Sequence, residues 1–328
     1  MLLVGDIGGT NTRLAVFARE QGDSTPLVKK KYPSQEYCCL EDIVTSFMKE
    51  HGLFPDKGVF GVAGPVKRNR ARITNLPWII DGEELQSATC LTQAVLLNDI
   101  QAMAYALPFL NGDDSVCICH GIEEKKGVKA LIAPGTGLGM GFLTWDGKKY
   151  RAHGSEGGHT EFGPRTELEI ELLNYLRQRF EHVSYERVCS GMGIPNLYAF
   201  LRDTGKYEEP RELREQFERI SDITPVIVHA AVCEPDKYPI CVAVVELFVS
   251  ILAAQAGNLA LTVACSGGLY IGGGIPPRIL QYMHQKTFVR IFTDKGRLSA
   301  ALRDIPIHLI TRSDIALFGA ACYGRGLY

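Results

Sequence analysis

Twice in 328 residues an apolar run breaks at a cluster of glycines and then resumes as a second apolar run. The first copy is VGDIGGTNTRLAVF, Val4 to Phe17, and the second is VKALIAPGTGLGMGFLTW, Val128 to Trp145. Each reads as two strands joined by a turn. A plain two-residue hairpin needs only one or two residues that accept positive φ, such as Asn-Gly. Gly8-Gly9-Thr10-Asn11 exceeds that need and adds a hydroxyl and an amide at the tip. Successive N–H groups unobstructed by side chains converge readily on an anion, so this turn suits a structural hairpin and a phosphate site equally well. Asp6, just ahead of it, would repel a bare phosphate and suits one that carries Mg2+.

The second turn, Gly135-Thr136-Gly137-Leu138-Gly139, moves the reading toward phosphate. No Gly-Lys-Ser/Thr follows, so it is not a Walker loop. Met140 stands where a dinucleotide fingerprint needs its third glycine, and the flanks are strand and strand rather than strand and helix. Two such hairpins, each opening a domain-sized block, imply two lobes holding one phosphate chain from opposite sides. A third element, YIGGGIPPRI, offers a flat surface at Gly273 and Gly274 against which an adenine can lie.

The rest of the chain alternates strand-like and helix-like segments, which argues for α/β organisation. Helical CLEDIVTSFMKEHG ends at Gly52 as a C-cap. QAVLLNDI reads as a strand followed at once by helical IQAMAYALPFL, and Thr166 with Glu169 opens an amphipathic helix running to Phe180. SDIALFGAACYGRGL reads as a closing helix with Ser313 as N-cap. PVKRNRAR, Pro65 to Arg72, reads as a solvated basic loop. The long apolar stretch from Pro239 to Cys265 contains Glu246, Ser250, Gln255 and Asn258, which fits a buried core helix better than a membrane span.

A net charge of −2 gives no support for a nucleic-acid or anionic-membrane surface. With 46% hydrophobic and 22% charged residues the chain has an ordinary globular composition. Ten cysteines across this length read as mostly reduced core thiols of a cytoplasmic protein. Cys117-Ile118-Cys119-His120 lacks a second pair at zinc spacing and reads as a strand near a turn.

GDIGGTNTRLAVF, APGTGLGMGFL and GGLYIGGGIPPRI resemble the phosphate-1, phosphate-2 and adenosine motifs of the sugar-kinase, Hsp70 and actin superfamily. LLNDIQAMAYAL, GSEGGHTEFGP and ERVCSGMGIPNLY are similar to the bacterial-type glucokinases, in the family's order along nearly the whole chain. The resemblance implies a two-lobed actin-like (ribonuclease H-like) α/β fold with an interdomain cleft. Residues 1–110 with 312–328 would form a small domain, and residues 111–311 a large one. It implies ATP-dependent phosphorylation of glucose at the 6-hydroxyl, the first step of glycolysis, with ATP and Mg2+ as cofactors. A hexose would be the substrate, with no nucleic-acid or membrane partner and a homodimer carried over from the family. Kinases of another hexose, or a non-catalytic ATP-dependent switch, are the alternatives. The region after Glu156 lacks the cysteines of the zinc-bearing repressor–ORF–kinase branch.

Site residues follow from both readings. Asn98-Asp99 ends an apolar strand and by residue type suits either a helix cap or a ligand site. The resemblance makes Asp99 the general base and Asn98 a sugar ligand, and adds Glu156, His159 and Glu186 around the sugar. Glu186 by itself reads as a surface glutamate. Asn75 borders the same pocket or is simply a turn residue ahead of Pro77. Gly5, Asp6, Ile7, Gly8, Gly9, Thr10, Asn11, Gly135, Thr136, Gly137, Gly273 and Gly274 are the expected nucleotide-binding positions, with Asp6 on the metal.

Overall fold

The computed structural model describes residues 1–18, 25–73, 76–283 and 286–327. Asn75 lies outside the described residues. The chain divides into two compact units: residues 1–111, 141–154 and 312–328 form the first, residues 112–140 and 155–311 the second.

The first unit is built on strands β1 (Leu2–Ile7), β2 (Asn11–Phe17), β3 (Val28–Pro33) and β4 (Lys57–Val62). Short strands β5 (Val66–Lys67), β6 (Arg70–Arg72) and β7 (Ile79–Asp81) make a separate small sheet, and β8 (Gln93–Asn98) rejoins the main one. The main order is β3-β2-β1-β4-β8. β1, β4 and β8 are parallel, and Ile7, Val62 and Asn98 are in register at their carboxyl ends. Leu2, Leu3, Val4 and Ile7 are all buried, as in a strand covered on both faces, and Asp6 is the one charged residue in it. Helix Leu40–His51 buries Leu40, Ile43, Val44 and Phe47 along one stripe and ends at Gly52 with φ +62°, as its sequence predicts.

The expected solvated loop at Pro65–Arg72 is instead a hairpin of β5 and β6. Arg68 and Asn69 take φ of +50° and +58° at its tip. The Asn69 amide bonds Ala94 O at 2.9 Å and accepts from Leu96 N at 2.8 Å, which fastens the hairpin to β8. The closing helix spans Ile315–Cys322 with Asp314, not Ser313, at the N-cap. Its Gly319 lies so close to helix Asp99–Ala106 that a Cβ there would strike Ala102 O.

The second unit contains β9 (Ser115–Cys119), β10 (Lys129–Pro134), the start of β11 (Leu138–Trp145), β13 (Leu269–Ile271) and β14 (Ile307–Ile310), in the order β11-β10-β13-β14-β9. β12 (Tyr150–Ser155) extends β11 at its far edge. Gly141–Gly154 groups with the first unit. There a Cβ at Gly141 would meet Ile100, and Gln101 Nε2 reaches Ala152 O at 3.5 Å.

Helix Pro239–Thr262 is, among the described residues, the helix long and apolar enough to cross a membrane, and 78% of its apolar window is buried. Its polar residues point to partners in the same unit. Ser250 donates to the buried Glu169, and Asn258 donates to the Tyr185 hydroxyl at 3.1 Å. Helix Glu167–Leu176 is shorter than expected. Thr166 caps Glu169 N, while the Glu169 carboxylate accepts from Arg165 N at 2.7 Å.

All ten cysteines are free, but only Cys189, Cys241, Cys265 and Cys322 are buried, while Cys38, Cys90 and Cys233 are exposed. The expectation of mostly core thiols therefore holds for a minority. Burial pushes the thiols of Cys265 and Cys322 up, to about 11 and about 12.

Candidate active site

In the first unit, the turn after β1, Gly64 just beyond β4 and the Asn98-Asp99 step at the end of β8 all emerge at the carboxyl ends of the three parallel strands of one mixed sheet, where open α/β sheets present ligand-binding groups. The tip between β1 and β2 is closed by Gly8 N–H donating to Asn11 O at 3.0 Å. Asp6 pairs with Arg13 Nη1 at 3.2 Å. Burial pushes the Asp6 carboxyl up, and Arg13 pulls against that without cancelling it. Gly5 and Ile7 serve the core. A Cβ at Gly5 would strike the Phe60 ring, and the Ile7 side chain is fully buried. Any contact they make with a ligand is therefore through backbone.

Asn98 is a helix cap in fact. Its Oδ1 accepts from Ile100 N at 3.1 Å and Gln101 N at 3.4 Å, Gln101 answers at the Asn98 N–H, and Nδ2 donates to Gly64 O at 3.1 Å. One amide N–H remains beyond the bond to Gly64. Asp99 opens the helix, half-buried, with Oδ1 accepting from Ile100 N at 2.8 Å.

The second unit brings the remaining residues together. Glu186 Oε2 accepts from Leu138 N–H, at the end of the second glycine turn, at 2.9 Å. Glu186 Oε1 lies 3.9 Å from His159 Nδ1, and Glu156 Oε2 lies 3.9 Å from His159 Nε2. His159 and Glu156 are largely exposed, while Glu186 is 18% exposed. The 3-10 turn Gly157–His159 keeps Gly158 flush against Leu138 O, so both loops meet at the start of β11. Gly273, at φ +86°, stands where a Cβ would strike Pro134 O, so the third glycine element abuts the residue before Gly135. Gly274 faces open space.

Sequence reasoning missed the groups that hold these turns. Gly191 N–H donates to Gly135 O at 2.7 Å and Met192 N–H to Thr136 O at 3.2 Å. In the first unit Ser34 reaches the glycine tip across 26 residues of chain. No local pattern marks such contacts, because they join segments remote in sequence.

The donor available to a divalent metal at the first glycine tip is the Asp6 carboxylate, which also pairs with Arg13 at 3.2 Å. Magnesium is ordinarily held by one or two carboxylates with substrate phosphates supplying the rest. Among the described residues no group of three or more His, Cys, Asp or Glu converges as a cage. Asp6 is a hard oxygen donor beside the glycine tip, the arrangement such a shared site needs.

A glucokinase family profile matches residues 3–326. The chain is 38% identical to a glucokinase of Nostoc sp. over 99% of both chains. Among solved structures it is similar to a glucokinase from an Antarctic psychrotroph, at TM-score 0.83 and 32% identity with 98% of each chain covered. It also shares its fold with a ROK family glucokinase of Streptomyces griseus, solved with glucose and AMPPNP, at TM-score 0.67 and 20% identity over 98% of each chain. The architecture is the two-lobed actin-like α/β fold of these sugar kinases. The chain belongs to the glucokinase family.

Proposed function

We propose that this chain is a glucokinase, transferring the γ-phosphoryl group of ATP to the 6-hydroxyl of D-glucose. The observation that carries the reading is the bond from Leu138 N–H to Glu186. It joins the carboxylate assigned here to the sugar and the turn assigned here to the phosphates within the second unit, which supports binding of the two ligands side by side. Family membership over nearly the whole chain supports the same reading.

In this reading the Gly8–Asn11 and Gly135–Gly137 backbones receive the nucleotide phosphates, and the turn at Gly273 and Gly274 receives the adenosine. Asn98, Glu156, His159 and Glu186 bind sugar hydroxyls: the carboxylates accept, the Asn98 amide donates, and the imidazole does either. Asn75 is assigned to the same ligand on resemblance alone. Asp99 accepts the proton of the 6-hydroxyl as that oxygen attacks phosphorus in line. Asp6 would hold Mg2+, which when bound neutralises charge on the phosphates. Backbone amides stabilise the equatorial oxygens, so the protein contributes position and electrostatics rather than covalent chemistry.

We further assign the enzyme to the cytoplasm, to the first step of glycolysis and to a homodimer, with no nucleic-acid or membrane partner. Family resemblance supports the location, the step and the dimer, and a net charge of −2 gives no support for a nucleic-acid or anionic-membrane surface.

The test is a coupled assay of ADP formation with MgATP and a panel of glucose, mannose, fructose and N-acetylglucosamine. Glucose is expected to give the highest kcat/KM. ATP hydrolysis indifferent to every sugar would overturn the reading in favour of a non-catalytic switch.

A further inference from the structure

The glycine tip between β1 and β2 is held by one side chain from outside the hairpin. Ser34 is fully buried and begins the single 3-10 turn after β3. Its hydroxyl donates to Gly8 O at 2.8 Å, and its backbone N–H donates to Thr10 O at 3.0 Å. Thr12 Oγ1, also fully buried, lies 3.0 Å from Ser34 Oγ. A hydroxyl has one proton. With that of Ser34 given to Gly8, the bond from Thr12 runs Thr12 O–H to Ser34 Oγ to Gly8 O.

This arrangement changes what the tip presents. In an ordinary two-residue hairpin the carbonyl of the first residue accepts from the N–H three residues on, here Asn11. At this tip that carbonyl accepts from Ser34, and residues 9 and 10 form a bend rather than a hydrogen-bonded turn. Across a trans peptide the C=O and the following N–H point in opposite directions. Turning the Gly8 and Thr10 carbonyls toward Ser34 therefore turns the Gly9 and Asn11 N–H groups away from it. It also withdraws the two carbonyl oxygens that would repel an anion.

We infer that Ser34 is a positioning residue for the nucleotide: it sets the polarity of the glycine tip, holding carbonyls back so that the Gly9 and Asn11 amides face the phosphates. The inference rests on the assignment of this hairpin to nucleotide phosphates. The matching turn at Gly135 and Thr136 is braced by backbone donors, Gly191 and Met192. In the first unit the Gly8 carbonyl is held by a side chain instead, and substitution at Ser34 removes that bond.

The test compares Ser34→Ala, Thr12→Val and Gly9→Val with the wild type in steady-state kinetics, thermal unfolding and calorimetric glucose titration without nucleotide. Loss of a hydrogen bond that organises a charged-ligand site corresponds to roughly tenfold in affinity, so Ser34→Ala is expected to raise KM for MgATP by about that factor. Glucose affinity should stay unchanged. Thr12→Val leaves the Ser34 bond to Gly8 in place and should move KM for MgATP far less. A Ser34→Ala enzyme with wild-type KM for MgATP overturns the inference, as does a parallel loss of glucose affinity. Gly9→Val separates the two levels of the argument. If it leaves nucleotide KM intact in an enzyme that turns over, the hairpin is not the phosphate site and the underlying reading fails. If Gly9→Val abolishes nucleotide binding while Ser34→Ala does not, only the positioning role fails. Should Ser34→Ala not fold, amide exchange on the wild type decides: AMPPNP must slow exchange at Gly9 and Asn11, and unchanged exchange there refutes the inference.

Discussion

The Glu186 carboxylate accepts a 2.9 Å hydrogen bond from the Leu138 backbone N–H, and Gly137 leaves the space for it: a Cβ on Gly137 would collide with Glu186 Oε2. A group assigned to the sugar and a turn assigned to the phosphates thus share one bond.

Gly137→Ala should consequently act on both ligands although it replaces none of the residues assigned to the sugar. The added methyl must displace the Glu186 carboxylate or the turn, at the cost of a bond to a charged acceptor worth about 1.5–3 kcal/mol. KM for glucose and KM for MgATP are expected to rise together in steady-state kinetics, and Glu186→Gln should raise them in the same sense. A glucose-only effect in Gly137→Ala would mean that the bond does not couple the two sites.

Asp99→Asn keeps the side-chain shape and removes the proton acceptor. Turnover should fall by about 10²–10⁴-fold, the span of general-base catalysis, while calorimetric glucose affinity is retained. Near-normal turnover would take the base role away from Asp99.

Asn98→Ala removes a cap as well as a ligand candidate. The lost bonds to Ile100 N and Gln101 N should lower stability by about 0.5–2 kcal/mol, read from chemical denaturation without ligand. The assigned sugar contact predicts in addition a raised KM for glucose. A stability loss with unchanged KM would leave Asn98 as a helix cap alone.

Asp314 gives the fold a pH signature. Burial pushes its carboxyl up, but Lys29 Nζ at 3.0 Å and Arg312 Nε at 2.8 Å pull it below the usual carboxylate range. A lowered folded-state value means that the contribution is complete above the unfolded value, about 3.9, and is lost as pH falls through the folded one. Asp314→Asn should cost about 1–3 kcal/mol at pH 7, and the gap from wild type should close on acidification below pH about 4. A gap that persisted at pH 2 would show packing, not charge, to be responsible.

The local features were legible from residues alone. Glycine at position 52, the strand-turn-strand units and the buried apolar helix each follow from turn chemistry or periodicity within a few residues, and the structure has them. Errors fell where a distant segment decides. PVKRNRAR looked like a loop because nothing local announces that Asn69 will be tied to β8 at Ala94 and Leu96. The last helix starts after Asp314 rather than Ser313, and that carboxylate is ion-paired to Lys29, 285 residues away.

The same division runs through the candidate site. The chain's own order of residues determined that two glycine tips exist, that acidic and amide groups follow particular strands, and which family they resemble. That Glu186 meets Leu138, that Gly273 abuts Pro134 and that Ser34 holds the carbonyls of Gly8 and Thr10 were decided by tertiary structure alone. Turn and helix preferences are written into neighbouring residues, whereas a hydrogen bond between remote segments exists only once packing of the core has brought its donor and acceptor within 3 Å or so of each other.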